Sequence, residues 1–264
     1  MSRPSGVTPH VEVHEGNGPP LLLIHGIMAG RALWAANLGP LREVATPVVL
    51  ELFGHGRSPT PHELERYDVD AYVEVIDEIR SSLGFGRWLL FGHSLGAALT
   101  VRYALQHPDR VIGHGLSNSA TALADDAWRD QIRSTVDEQA RVIESASPDE
   151  LRRLRINPIN SRHIVPLVRE QLVADSALLS PLGVASHVRS VARAESLRPR
   201  VSSNQVPCLL VAGRHESAFV EPAGFAEDRM PHLTVVRLDA GHSPNAEAPD
   251  PFNDVLASFV RSLS

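Results

Sequence analysis

Lysine is absent from this sequence of 264 residues, so all 25 of its cationic side chains other than histidine are arginines. The arginines are outnumbered by 31 acidic residues, and the formal net charge is −6. Binding to nucleic acid depends on clustered cations that contact phosphates. We therefore predict that nucleic acid is not a partner of this protein.

Cysteine and long apolar runs are also scarce. Cys208 is the only cysteine, which excludes an intramolecular disulfide and a cysteine-based zinc site. The longest apolar runs, such as residues 21–24, are far shorter than the roughly 20 residues of a membrane-crossing helix. Residues 1–18 lack the basic and apolar segments of a secretory signal. We expect a cytoplasmic protein without a membrane partner or a bound metal.

Two regions of the chain alternate short apolar runs with amphipathic segments, which predicts a parallel sheet covered by helices on both faces. They extend from about His10 to Asn118 and from Val206 to the end. The expected strands are Val11–Val13, Leu21–His25, Pro47–Leu52, Trp88–Gly92, Val111–Leu116, Val206–Ala212 and Leu233–Leu238. Helical spacing of apolar residues predicts helices over Val69–Leu83, Leu95–His107 and Pro251–Leu263.

Residues 119–205 have no strand pattern and are helical in period, which predicts an insertion between two halves of one sheet. The predicted organisation is a core of residues 1–118 and 206–264 with a helical cap of residues 119–205. We expect apolar stripes on the cap helices to turn toward an opening above the sheet. These stripes comprise Ile132, Val136 and Ile143 on one helix, and Val165, Leu167, Val168 and Leu172 on another.

Residues 92–96, Gly-His-Ser-Leu-Gly, fit the pattern G-x-S-x-G between a predicted strand and a predicted helix. In that context the pattern predicts a sharp turn that exposes the serine hydroxyl at the carboxyl end of the sheet. Side chains at Gly92 and Gly96 would collide with neighbouring backbone in such a turn. Ser94 is therefore the candidate nucleophile, and the amides that open the next helix would face an anion formed there.

A serine nucleophile needs a base that is oriented by an acid. His242 follows the last predicted strand in the sequence Gly-His-Ser-Pro, at the sheet edge where Ser94 is expected. This position distinguishes it from the other twelve of the 13 histidines. His242 is therefore the candidate base.

These motifs resemble those of the α/β-hydrolase family. The resemblance rests on residues 25–26 (His-Gly), 54–58 (Gly-His-Gly-Arg-Ser), 92–96, and 241–242 followed by Glu-Ala-Pro at 247–249. It implies an α/β fold with a mostly parallel central sheet flanked by helices, a helical cap inserted after the family's sixth strand, and no cofactor. In such enzymes the nucleophile, the acid and the histidine follow in that order along the chain.

The acid departs from the pattern that the resemblance implies. Relatives usually carry aspartate three residues after the glycine that closes the penultimate strand, whereas this chain has Glu216 after Gly213. Glutamate can serve in such a triad. Asp125, Asp126 and Asp239 are the alternatives, with Asp125 the next after Glu216.

The resemblance also implies an oxyanion hole of two backbone amides. These would belong to Leu95, directly after the nucleophile, and to Ile27, after His25 and Gly26. Met28 is a candidate substrate-binding residue at the mouth of the pocket. For His25 we expect bracing of the loop, and for His93 packing beside the turn, in place of proton transfer.

Ser94 excludes the chemistry of haloalkane dehalogenases and epoxide hydrolases, which have this fold but need aspartate at that position. The predicted function is a serine hydrolase of carboxylic esters or lactones acting on small, largely apolar substrates. One alternative is a hydrolase of carbon–carbon bonds in ring-cleavage products, with Arg152, Arg153, Arg155 or Arg162 holding a substrate carboxylate. Another, from a different class, is a non-catalytic small-ligand receptor. The sequence does not identify the substrate or the oligomeric state.

Overall fold

The computed structural model describes residues 7–263. Residues 1–6 and 264, which belong to the predicted N-terminal segment and core, lie outside the described residues. The described chain forms one seven-stranded sheet. Its strands are β1 (Val11–Val13), β2 (Pro20–Ile24), β3 (Thr46–Leu50), β4 (Trp88–His93), β5 (Val111–Ser117), β6 (Cys208–Gly213) and β7 (Leu233–Leu238).

The sheet has the strand order β1-β3-β2-β4-β5-β6-β7. Only β1 runs antiparallel to its neighbour, with Val11 opposite Leu50, and every other pair is parallel. All four residues 21–24 are buried because both faces of the sheet are covered. The predicted fold class is confirmed.

Helices lie on both faces of the sheet and over its carboxyl edge. They are α1 (Leu38–Arg42), α2 (Val69–Ser82), α3 (Leu95–Gln106), α4 (Ala120–Leu123), α5 (Asp126–Glu144), α6 (Pro148–Arg153), α7 (Pro166–Asp175), α8 (Pro181–Arg193), α9 (Val220–Arg229), α10 (Pro244–Glu247) and α11 (Pro249–Ser262). Short 3-10 turns occur at Arg31–Trp34, Leu64–Tyr67, Pro108–Arg110, Pro158–Asn160, Ser176–Leu178, Val201–Ser203 and Ser217–Phe219. None of the helices in residues 7–263 is long and apolar enough to cross a bilayer.

Successive residues of β2 and β4 point to opposite faces of the sheet and build two separate cores. On one face, Leu22 and Leu90 pack with α2 and α3. On the other, Leu21 and Phe91 pack with α1 and α11. The carboxyl ends of β4, β5 and β6 are thereby held in register at one edge of the sheet.

Between β5 and β6, residues 119–205 form only helices, turns and loops. We call this stretch the cap segment. It is inserted after the fifth strand that the structure describes. Gly54 and Gly183 cross so closely that a Cβ on either would lie 2.5 Å from the Cα of the other. The amide of Ser180 also donates to the Gly54 carbonyl at 2.9 Å. A glycine is therefore required on both sides of this crossing between core and cap.

The apolar stripes of the cap do not all face an opening as predicted. Val168 and Leu172 of α7 pack against Ala29, Leu33 and Ala246 of the core. Leu167 is exposed to solvent. Periodicity shows that one side of a helix is buried but not which neighbour buries it, so this part of the prediction was wrong.

Candidate active site

Ser94 lies in the sharp turn between β4 and α3, with φ 54° and ψ −115°. This left-handed φ is unfavourable for serine and is maintained by close backbone packing around the turn. A Cβ at Gly92 would lie 2.2 Å from the Gly96 carbonyl oxygen, and one at Gly96 would lie 2.2 Å from the Ile24 carbonyl oxygen. The collisions predicted for both glycines are therefore present, and the turn admits no side chain at either position.

The imidazole of His242 is hydrogen-bonded to Glu216, with Nδ1 2.8 Å from Oε2. The hydrogen bond to His242 lowers the pKa of the Glu216 carboxyl below its ordinary value, so it is ionised at neutral pH. An ionised carboxylate can only accept hydrogen bonds, so Nδ1 of His242 carries a proton, and in the neutral ring Nε2 has a free lone pair. A base in this tautomer can take a proton at Nε2.

The other carboxyl groups considered for this position have different partners or surroundings. Asp125 caps the N-terminus of α5 and accepts the Trp128 amide at 2.9 Å. Asp126, the first residue of α5, is exposed. Asp239 is hydrogen-bonded to Nε2 of His215 at 2.7 Å. Of these candidates, the structure brings only Glu216 to His242.

Two residues to which the sequence analysis gave no role hold the backbone around His242. The amide group of Asn118, directly after β5, donates to the carbonyls of Gly241 at 3.0 Å and His242 at 2.7 Å. The Glu247 carboxylate accepts the amides of Gly241 at 2.6 Å and Ser243 at 3.1 Å. The sequence signals were an asparagine at a strand end and the Glu-Ala-Pro motif, which had been noted without a role for the glutamate.

His93 packs beside the turn, as expected, and supports the loop of His242. Its Nδ1 is 3.0 Å from the Ser117 hydroxyl and its Nε2 is 3.2 Å from the Ser243 hydroxyl. Its ring meets the His242 ring edge-on at a centroid distance of 4.9 Å. Both ring nitrogens are engaged, so His93 positions its neighbours and is not free to exchange protons with a ligand.

Ile27 and Leu95, whose backbone amides are the candidate oxyanion-hole donors, line the same cavity as Ser94. Within residues 7–263, neither amide has a protein acceptor. Gly26 brings the loop of Ile27 close, since a Cβ there would lie 2.9 Å from the Ser94 Cβ. Two free donors beside a serine hydroxyl can stabilise a negative charge that develops on a bound carbonyl oxygen.

The loop of Ile27 is held by two buried histidines. His25 donates from Nδ1 to its neighbour's carbonyl at 2.7 Å and accepts the Leu52 amide at Nε2, at 3.0 Å. His55 accepts the Met28 amide at Nε2, at 3.0 Å. Bracing was the role expected for His25, and its hydrogen bonds agree with that expectation.

Met28 does not have the position expected of a residue at the pocket mouth. Its side chain is 2% exposed and packs with Ile143, Leu151 and Val184 of the cap segment. It is not among the described residues that line the cavity. Its backbone has φ 60° and its amide donates to His55, while its side chain is covered by the cap segment.

Burial lowers the pKa of His25 to about 3 and that of His55 to about 4. The pKa of His187, which packs against His55 from α8, is also well below its ordinary value because the ring is buried. Unfolded histidines titrate near pH 6.5. Below that pH the unfolded chain binds more protons than the folded chain, because these three histidines stay neutral only when folded. Their stabilising effect is therefore complete above pH 6.5 and is lost progressively as the pH falls toward 4.

We therefore expect the free energy of unfolding to fall between pH 7 and pH 5. Each such histidine contributes a slope of up to about 1.4 kcal/mol per pH unit. In the variant His187→Gln, the free energy of unfolding should depend less steeply on pH, by the contribution of one histidine, because glutamine does not titrate. This expectation holds whatever the absolute stability of the variant. Urea unfolding at several pH values measures this. His62→Gln, at an exposed position, is the control, and an unchanged slope in His187→Gln would contradict the account.

Ser94, Glu216 and His242 line one cavity of about 770 Å³ between the sheet edge and the cap segment. Part of its wall is apolar and is formed by Leu33, Trp128, Ile132, Val188 and Val191. Ile132 is thus where the predicted stripe placed it, whereas Ile143 packs inside the cap. In residues 7–263 no group of three or more histidine, cysteine, aspartate or glutamate side chains could hold a metal ion.

Two of the four arginines named as candidates also line the cavity. Arg153 and Arg155 are on its wall. Arg152 instead pairs with Asp149 at 3.0 Å and donates to the Ser176 hydroxyl at 2.8 Å. Arg162 is not among the described lining residues.

A family model described as alpha/beta hydrolase fold matches residues 19–249. The human 1-acylglycerol-3-phosphate O-acyltransferase ABHD5 is 41% identical to this chain over 101 residues. That match covers 36% of this chain and only 28% of the human protein. The chain therefore aligns with less than a third of the length of this curated relative.

Solved structures with the same fold cover nearly the whole chain. MenH from S. aureus has a TM-score of 0.83 at 19% identity, over 96% of this chain and 98% of that one. The enol-lactonase from Burkholderia xenovorans LB400 has a TM-score of 0.77 at 21% identity, over 96% of both chains. At these identities the likeness concerns the fold alone.

Proposed function

This chain is a member of the α/β-hydrolase family, and on that premise we propose that it is a serine hydrolase of carboxylic esters or lactones. The proposed triad is Ser94, His242 and Glu216, and the proposed oxyanion hole is formed by the amides of Ile27 and Leu95. The observation that carries the proposal is that the hydroxyl of a strained serine and a carboxylate-bound histidine line one cavity.

In the proposed reaction, Ser94 Oγ attacks the substrate carbonyl while His242 Nε2 takes the hydroxyl proton. The carbonyl oxygen becomes an oxyanion that accepts hydrogen bonds from the Ile27 and Leu95 amides. When the ester C–O bond breaks, His242 returns the proton to the leaving alkoxide, which departs as an alcohol and leaves the acyl group on Ser94. Water, deprotonated by His242, then attacks the acyl-enzyme, and the acid is released as Ser94 regains its proton.

The Glu216 carboxylate has two functions in this scheme. It keeps the proton on Nδ1 of His242 and stabilises the imidazolium that forms during each transfer. The contacts of Asn118 and Glu247 with the loop of His242 support the same geometry, because the loop is held at both carbonyl and amide groups.

The apolar part of the cavity wall favours an acyl or alkyl chain of medium length. Each buried methylene contributes up to about 0.8 kcal/mol, or roughly fourfold in specificity. Along straight-chain 4-nitrophenyl esters we expect kcat/KM to rise about two- to fourfold per methylene from acetate to hexanoate. Purified protein assayed with this series and a set of lactones tests the proposal, with Ser94→Ala as the blank. A flat or falling series would contradict an apolar acyl site.

A hydrolase of carbon–carbon bonds in ring-cleavage products is the second candidate. The observation that favours it is the position of Arg153 and Arg155 on the cavity wall, since such substrates carry a carboxylate. A dienone-type acid in the same assay separates the two activities. A non-catalytic ligand receptor is the remaining alternative, and steady turnover of any substrate in the set would rule it out.

A further inference from the structure

We infer that Arg153 and Arg155 form a binding subsite for an anionic group, a carboxylate or a phosphate, at the cap side of the cavity. The inference rests on the proposed function in that the anion would belong to the hydrolysed substrate, at a distance from its ester bond. It extends the predicted substrate class, small and largely apolar molecules, by one anionic group.

The free hydrogen-bonding capacity of these two guanidinium groups is the first argument. Most arginines in the described part of the chain bind a carboxylate or a backbone carbonyl, as Arg152 does with Asp149. Within residues 7–263, Arg155 makes no hydrogen bond or ion pair. Arg153 has no carboxylate within ion-pair distance in that range; it acts only electrostatically on Glu150, whose carboxylate is hydrogen-bonded to Ser147.

The loop that carries the two arginines is held in place, which is the second argument. Asn160 donates to the carbonyls of Arg152 at 2.7 Å and Leu154 at 3.0 Å, on either side of Arg153. The buried amide of Asn157 donates to the Leu151 carbonyl at 3.1 Å, and its oxygen accepts the Ile159 amide at 3.1 Å. The backbone next to both arginines therefore has hydrogen bonds that do not depend on a ligand, which reduces the entropy cost of binding.

The distribution of charge around the cavity is the third argument. Its two lining carboxylates are already engaged: Glu216 with His242, and Glu247 with two amides of the histidine loop. Both belong to the core, whereas the free guanidinium groups belong to the cap segment. A substrate with an anion at one end and an ester at the other matches this separation, because arginine binds carboxylate and phosphate oxygens in paired hydrogen bonds.

Matched substrates of equal chain length test the subsite. 4-Nitrophenyl hexanoate is compared with the mono-4-nitrophenyl ester of adipic acid, which places a carboxylate at the far end of the acyl chain. A second pair, the hexanoyl esters of ethylene glycol and of 2-hydroxyethyl phosphate, places a phosphate on the alcohol side. We expect at least one anionic ester to have a kcat/KM about tenfold higher than its neutral partner, mainly through KM, and this advantage should shrink as salt is added.

The double variant Arg153→Gln/Arg155→Gln should abolish that advantage, so that each anionic ester is hydrolysed no faster than its neutral partner. Arg152→Gln is the matched control, since it removes a neighbouring arginine that already has its own partners. Equal kcat/KM for both members of each pair would overturn the inference. An equal loss of the preference for anionic esters in Arg152→Gln would also overturn it. Thermal melting of each variant verifies that it is folded.

A binding measurement separates this inference from the proposed function. Trp128 lines the cavity, whereas Trp34 and Trp88 are fully buried, so intrinsic fluorescence reports on ligands in the cavity. Titration with adipate and hexyl phosphate should alter the Trp128 signal at concentrations about tenfold lower in the parent protein than in the double variant. If no ester is hydrolysed but this difference is present, the proposed function fails and the subsite stands. If esters are hydrolysed but the parent protein and the double variant bind the anions equally, the proposed function stands and the subsite fails.

Discussion

Replacement of Ser94 by alanine should abolish ester hydrolysis and leave the fold intact. Loss of a triad nucleophile lowers kcat by a factor on the order of 10⁶. The Ser94 hydroxyl has no hydrogen-bond partner in residues 7–263, so its removal should shift the melting temperature very little. Initial rates with 4-nitrophenyl hexanoate and thermal melts of both proteins measure the two effects.

Ser161→Ala is a suitable control because Ser161 lines the same cavity from the cap segment. We expect that variant to retain most of its activity. A Ser94→Ala protein with more than about a hundredth of the parent activity would show that another group is the nucleophile.

The second large effect on kcat is expected from substitution of Glu216, the proposed acid of the triad. Glu216→Gln should lower kcat by a factor on the order of 10⁴, because an amide neither fixes the tautomer of His242 nor stabilises the imidazolium. Asp125→Asn should have only a mild effect, since asparagine caps a helix as well as aspartate and can still accept the Trp128 amide. The comparison of kcat for the two variants at neutral pH measures this.

Asp239→Asn provides a further control because its partner is His215 and not His242. Glu216→Gln with nearly full activity, together with an inactive Asp125→Asn, would reverse the assignment of the acid.

The sheet and the sharp turn at Ser94 could be predicted from sequence because short-range rules determine them. Strand β7 has the predicted limits, Leu233–Leu238, and β4 extends one residue beyond the predicted Gly92. The requirement for glycine at 92 and 96 follows from contacts within the turn and the adjoining loop. Glu216 was a candidate because the family resemblance implies an acid three residues after the glycine that closes the penultimate strand, here Gly213.

What could not be predicted depends on packing between distant segments. The apolar side of α7 covers the loop of Ala29 instead of facing the cavity, and Met28 is covered by the cap. The support of the histidine loop by Asn118 joins residues that are more than 120 positions apart. Likewise, the sequence named four arginines as candidates, but only the folded cap distinguishes Arg153 and Arg155 from Arg152.

The central claim is that Ser94 forms a covalent acyl intermediate, and mass spectrometry of the protein quenched in acid during turnover of 4-nitrophenyl hexanoate tests it most directly. We predict a population heavier by one hexanoyl group, with the adduct on the peptide that contains Ser94. The adduct should accumulate further in Glu216→Gln if deacylation is slowed more than acylation, and should be absent from Ser94→Ala. Product release with the hexanoyl group on a different residue, or the same adduct in Ser94→Ala, would contradict the account.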